Sequence, residues 1–245
     1  MSDQWRNRIY ENYMTNILAD AHVWKNELRL HCKYFRKNYL KYLPDDKSAR
    51  ILELGCGMGQ FYAFLLTQGY SNYEGIDLSD ENIEYVKANI NQHARIYKID
   101  MIDFLNRCEE CSYDAVVFND AIEHLTKEEI FKVLDGVMKV LKKDGVFLIK
   151  TLNMANPYVN TAGRYIAIDH EVGFTETSMR EVLRACGYRE IKIVGTDIYV
   201  LNPIVSVPAK ILSKLINLRL MFLSSLYGRT YLRVFEKDIL AVAKK

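Results

Sequence analysis

The chain has 245 residues, enough for one large unit or two small ones with a sizeable core, and its 33 Lys and Arg nearly balance 31 Asp and Glu. That balance supplies no field to draw it onto a polyanion, so no nucleic-acid partner is expected. The amino terminus, MSDQWRNRIYENYMTN, has no apolar centre of signal-peptide type, and no apolar run reaches the ~18 residues of a membrane span, so a cytoplasmic protein is expected.

Residues 1 to 45 read as helical. Trp24, Leu28, Cys32, Phe35, Tyr39 and Tyr42 recur at three or four and make one apolar stripe that ends before Pro44. The next stretch, Ala49 to Gly59 (ARILELGCGMG), organises the rest. Ile51, Leu52 and Leu54 read as a buried strand, Arg50 to Leu54, and the glycines at 55, 57 and 59 let the backbone turn into a helix, Phe61 to Gln68. The sixth place of a dinucleotide fingerprint is Gln60, and no Lys-Ser/Thr follows Gly59, so neither that motif nor a phosphate-binding P-loop is complete. The second strand, Tyr73 to Asp77, ends in an acid where a ribose would offer its hydroxyls. A glycine turn with a ribose acid implies a nucleoside ligand.

Ser79 then caps a helix over Asp80 to Asn91, with acids at its start. Strands over Arg95 to Lys98, Ala115 to Asn119 and Gly145 to Thr151 follow, with a helix over Lys127 to Lys142. Strands alternating with helices predict a mostly parallel sheet covered on both faces, with ligands at the carboxyl edge of the strands. Five cysteines, Cys32, Cys56, Cys108, Cys111 and Cys186, are expected as free thiols. Cys108 and Cys111 have metal-type spacing, but no second pair completes four zinc ligands.

The chain ends differently. Glu190 to Val200 and Val234 to Lys244 read as strands, and a helical insert, 203–232, separates them. No acid occurs between Asp197 and Glu236, whereas Lys210, Lys214, Arg219, Arg229 and Arg233 are basic. Lys210, Ser213, Lys214 and Asn217 share a helical face, with Ile211, Leu212, Leu215, Ile216 and Leu218 off it. Packing on the chain's own core, or a homodimer contact, is the expected use of the apolar side, with peripheral contact at the inner face of a membrane as the alternative.

Four ordered stretches within 49–153, ARILELGCGMG, KIDMIDFL, YDAVVFNDAIEHL and DGVFLIKTLN, resemble the class I S-adenosylmethionine-dependent methyltransferases. The resemblance implies a single α/β domain: a Rossmann-like seven-stranded sheet with its last strand antiparallel, a helical cap at 1–45, a cofactor core at 49–153 and acceptor-side elements at 154–245. It implies S-adenosylmethionine as cofactor and S-adenosylhomocysteine as product. Gly55, Cys56 and Gly57 would lie against the methionine part, with Glu53 near its ammonium. Asp77 would meet the ribose, Leu78 the adenine ring, and Asp100 the adenine amino group beside Met101 and Ile102, while Asn119 would sit under the methionine. Leading helices in such enzymes close over the ligands, which gives Tyr10, Tyr13 and His22 a contact role to test.

A hydroxyl acceptor must lose its proton, which suits a histidine. His124, His170 and Asp120 are therefore the catalytic candidates, with Glu123 and Asp169 beside them; no metal ligand set is expected from their spacing. Asn153 to Gly187 resembles a subgroup of small bacterial methyltransferases associated with capsule and lipopolysaccharide assembly. Its Asn156, Tyr158, Asn160, Arg164 and Tyr165 suit a polar ring-shaped acceptor. The expected activity is O-methylation of a carbohydrate or a sugar-linked phosphate or phosphoramidate group in a surface glycan. The alternatives are a small-molecule or quinone-type O-methyltransferase, and a non-catalytic protein that only binds the cofactor.

Overall fold

The structure is a computed structural model, and it describes Arg6, Ile9, residues 24–197 and residues 203–245. Tyr10, Tyr13 and His22 lie outside the described residues. Chain order is α1 (Trp24–Asn38), β1 (Ile51–Leu54), α2 (Gln60–Thr67), β2 (Tyr73–Asp77), α3 (Asp80–Asn89), β3 (Ile96–Lys98), α4 (Met101–Arg107), β4 (Tyr113–Asn119), α5 (Lys127–Val140), β5 (Leu141–Leu152), α6 (Asn160–Arg164), α7 (Glu176–Ala185), β6 (Arg189–Gly195), α8 (Pro203–Leu226) and β7 (Asp238–Lys244). Short 3₁₀ turns lie at Leu40–Tyr42 and Ile122–His124.

The seven strands form one sheet in the order β3-β2-β1-β4-β5-β7-β6, and only β7 runs antiparallel to its neighbours. Two apolar layers sandwich it, as strands buried on both faces require. One holds Leu52, Leu54, Val116, Phe118, Phe147 and Ile149 under α5 and α7. The other holds Ile51, Ala115, Val117 and Leu148 under Phe35, Tyr39, Phe61 and Phe64 of α1, α2 and the turn that follows α1.

Several boundaries differ from the sequence reading, each for a local reason. Asp100 caps an unpredicted helix, α4, by accepting from the amides of Ile102 (2.8 Å) and Asp103 (3.1 Å). Helix α5 stops at Val140, and β5 starts at once through a tight bend at 142–145, where Asp144 has φ +62° and a Cβ on Gly145 would come within 2.9 Å of the Lys142 carbonyl. Strand β7 begins at Asp238 rather than Val234, because the carbonyls of residues 234–237 are engaged by asparagine side chains from the opposite loop. Strand β6 ends at Gly195, and residues 198–200 of the predicted strand lie outside the described residues.

The insert does form a helix, but its apolar side is not packed on the core. Ile204, Ile211, Leu215, Leu218 and Phe222 of α8 are exposed. The less exposed side is mixed, with Ser206, Ala209, Lys210, Ser213, Ile216, Asn217, Leu223 and Ser224 half-buried and only Leu220 buried. The free thiols agree with expectation: all five cysteines are unpaired with one another.

Candidate functional site

The carboxyl ends of β1, β2 and β4 meet where the sheet order reverses direction, the crevice at which open α/β sheets bind ligands. Gly55 and Gly57 take φ of +66° and +51°, which side chains rarely adopt, and a Cβ on Gly55 would press on Ala121 at 3.1 Å. The turn is held by Asp77, whose Oδ2 accepts from the Gly57 amide at 2.8 Å. Its Oδ1 accepts from the Ser79 amide (2.9 Å) and from Asn82 (3.2 Å), so the acid at the tip of β2 is fixed before any ligand arrives. Burial still pushes the Asp77 carboxyl above its ordinary range, despite these donors.

A chain of four side chains runs beneath the turn. The Tyr73 hydroxyl donates to Glu53 (2.7 Å), the Asn119 amide donates to the other Glu53 oxygen (3.2 Å), and the Tyr39 hydroxyl donates to Asn119 (2.6 Å). Glu53 is almost fully buried, and burial raises its pKa to about 8 against the pull of Tyr73 and Asn119. A buried carboxylate whose described partners are a tyrosine and an asparagine is what an arriving ammonium would stabilise, so these residues fit the methionine end of S-adenosylmethionine.

The Cys56 side chain is buried in the core below the turn, so any contact it makes at the turn is through its backbone. Leu78 is exposed just past the tip of β2, whereas Met101 and Ile102 sit half-buried against the core. Asp100 spends Oδ1 on capping α4, and its other oxygen is left for an amino group.

Beyond Asn119 the chain forks. Asp120 has φ +47°, which turns its carboxylate to an ion pair with Lys150 at the end of β5. Burial opposes the charge on Lys150, but Asp120 and the neighbouring Asp238 outweigh it and hold the ammonium protonated. Asp120, a catalytic candidate in the sequence, is thus the partner of a largely buried lysine.

The other branch brings both histidines together. In the 3₁₀ turn after β4, His124 Nδ1 lies 2.9 Å from Asp169, which is 1% exposed, and its ring meets His170 edge-on at 4.7 Å. Burial lowers the pKa of His124, but the hydrogen bond to Asp169 and the charge of Glu123 overcome this and hold it above the ordinary imidazole value. His170 moves the other way, lowered by burial and then by the charge of His124. Glu123 is buried, accepts from Thr151 at 2.9 Å, and has its pKa raised by burial to about 7.

The ligand atoms of Glu123, His124 and His170 lie within 4.8 Å of one another, close enough to hold a divalent cation. Linear spacing did not indicate that set, since His170 enters from a distant loop whose amides at Glu171 and Val172 bond the Glu123 carbonyl (2.7 and 3.1 Å).

Three site residues escaped the sequence reading. Tyr39 belonged to the packing stripe, and nothing distinguished its hydroxyl. Lys150 left one signal, a cation at the end of the apolar run GVFLIK. Arg6 left none, although its guanidinium bonds the His124 carbonyl (3.0 Å) and Glu129 (2.7 Å), which ties the leading segment to the site.

Residues 26–193 match the family described as a methyltransferase domain. The chain is 26% identical over 121 residues to a ubiquinone biosynthesis O-methyltransferase of Neisseria meningitidis, covering 48% of this chain and 50% of that one. It is 28% identical over 175 residues to the human mitochondrial enzyme of the same description, covering 60% and 47%. The chain therefore spans about half the length of these curated relatives. Among solved structures, a SAM-dependent methyltransferase from Archaeoglobus fulgidus superposes with a TM-score of 0.65 at 20% identity, over 89% of this chain and 94% of that one, a likeness of fold. With a family match over most of its length and a crevice suited to the cofactor, this chain belongs to the S-adenosylmethionine-dependent methyltransferases.

Proposed function

We propose that the protein methylates a ring hydroxyl of a small, largely apolar acceptor of the phenol or quinone type. One observation carries the choice over the surface-glycan reading. The loop expected to grip a sugar spends its polar groups internally: Asn156 donates to the Phe235 carbonyl (2.8 Å), Asn160 to that of Lys237 (2.7 Å), and Arg164 to that of Glu171 (3.0 Å). What the loop leaves exposed is Tyr158, Tyr165, Ile166 and Ile168, which suit an apolar ring or chain. The curated relatives named for ubiquinone biosynthesis support the same reading, and the capsule and lipopolysaccharide association finds no support among them.

When bound, S-adenosylmethionine supplies a methyl already activated on a sulfonium and is released as S-adenosylhomocysteine. The protein's part is to orient the two substrates, exclude water and receive one proton. Asp169 holds His124 through Nδ1, leaving Nε2 to take the proton of the acceptor hydroxyl. Gly55 and Gly57 would admit its methionine part, Glu53 would pair the ammonium, and Asp77 and Asp100 would meet the ribose and the adenine.

The test is turnover with methyl-labelled cofactor on a soluble catechol, compared with a polysaccharide and nucleotide-sugar fraction. Label on the catechol oxygen is expected. Label in the sugar fraction would restore the glycan reading, and cofactor binding without label in either would leave a non-catalytic binder. The rate should also climb as pH rises through the elevated pKa of His124, since only the neutral ring accepts a proton. Replacing Asp169 with Asn should move that rise to lower pH.

A further inference from the structure

We propose that α8 is a docking helix for an anionic lipid surface, lying flat with its outward stripe in the headgroup layer. At 100° per residue Ile204, Ile211, Leu215, Leu218 and Phe222 line up along one side of the helix, spaced by seven, four, three and four. All five are exposed, Ile204 at 84% and Phe222 at 61%, the reverse of a helix that buries its apolar side in its own domain.

Charge identifies the occupant. Lys214 and Arg219, both exposed, flank the stripe on opposite sides, where long aliphatic stems lie along an apolar surface while their charges reach outward. Arg229 and Arg233, also exposed, follow on the return segment, and between Asp197 and Glu236 the chain has five basic residues and no acid. A protein groove or a second copy would need acids opposite these cations, and the helix has none to offer its own copy across a twofold contact. A surface of anionic headgroups over acyl chains meets both features at once. No described helix is long and apolar enough to cross a membrane, so the contact is peripheral.

The helix also leaves from the right place. Gly195 at the end of β6 and Asp238 at the start of β7 stand at the sheet edge that holds His124 and Asp77, since Asp238 pairs with Leu152 at the carboxyl end of β5. The return segment is pinned to the acceptor loop by Asn153, which bonds the Val234 and Glu236 carbonyls, and by Glu176, which accepts from the amides of Arg233 and Val234. The segment that follows α8 is therefore fixed to the elements that flank the proposed acceptor loop. This α8 segment lies outside the stretch matched to the family, and its docking stands whatever the acceptor is.

The experiment is flotation of the full chain with vesicles of phosphatidylglycerol and phosphatidylethanolamine, against phosphatidylcholine alone, without cofactor or acceptor. Recovery with the anionic vesicles is expected to be at least tenfold higher, and to fall about tenfold for Lys214→Glu with Arg219→Glu and on raising salt from about 0.1 to 0.5 M. Leu215→Ser with Phe222→Ser should lose binding with an unchanged thermal midpoint, because both side chains are exposed. Equal recovery on both vesicle types, recovery on neither, or a dimer in ultracentrifugation that Leu215→Asp dissolves would overturn the proposal.

Discussion

The cofactor half and the acceptor half of the crevice are built by different means. Around the cofactor, the fixing contacts gather at the glycine turn and the strand tips beside it: Asp77 to Gly57, Asp100 to the first turn of its own helix, and Glu53 to Asn119 across adjacent strands, with Tyr39 reaching Asn119 from the turn after α1. Around the acceptor, the fixing contacts join loops and turns to one another rather than strand tips. Asn153, Asn156 and Asn160 reach carbonyls about 80 residues away, and His124 depends on Asp169 from a loop that arrives after β5. The first arrangement suits a ligand shared across the family. The second depends on insertions and loops, which is where one acceptor is told from another.

The comparison is broken most sharply at His124. Substituting His124 with Gln should lower turnover at saturating cofactor by about 10²–10⁴-fold while calorimetric cofactor affinity stays within twofold, roughly the range of general-base losses. Affinity falling in step with turnover would show that the two halves are not separable.

From the cofactor side, Asp77→Ala should weaken S-adenosylmethionine binding by about 2 kcal/mol or more, the scale of losing bonds to a charged group. An unchanged dissociation constant would remove Asp77 from the ribose site.

The acceptor half should respond first in stability. Asn160→Leu removes donors to the Asn153 and Lys237 carbonyls and should cost about 1–3 kcal/mol in urea unfolding, with cofactor affinity retained if the cofactor half is independent.

The smallest effect sharpens the picture of Glu53. With its pKa at about 8 in the free protein, Glu53 is largely protonated at neutral pH and must lose that proton to pair an ammonium. Affinity for the cofactor should therefore rise with pH, by at most tenfold per unit, and level off above about 8. Glu53→Gln should flatten the profile, and calorimetry in buffers of different ionisation enthalpy should register the released proton.

Local pattern in the chain sufficed for the class of fold and for the glycine turn with its strand-tip acid. Alternating strands and helices, positive-φ glycines in ARILELGCGMG and acids at strand tips are local signals, because strand burial, turn conformation and helix capping are set by neighbours in the chain. It also located both histidines and the basic apolar insert. Only the tertiary structure decided that Asp120 turns to Lys150 while Asp169 and His170 join His124, since β5 and the loop after it supply those partners. The use of a polar side chain was equally hidden. Asn156 and Asn160 read as ligand groups but are consumed by backbone carbonyls of a segment that turns away from its strand. The outward apolar face of α8 was out of reach for the same reason: helical periodicity defines two faces, and only the position of the rest of the molecule decides which one meets the solvent.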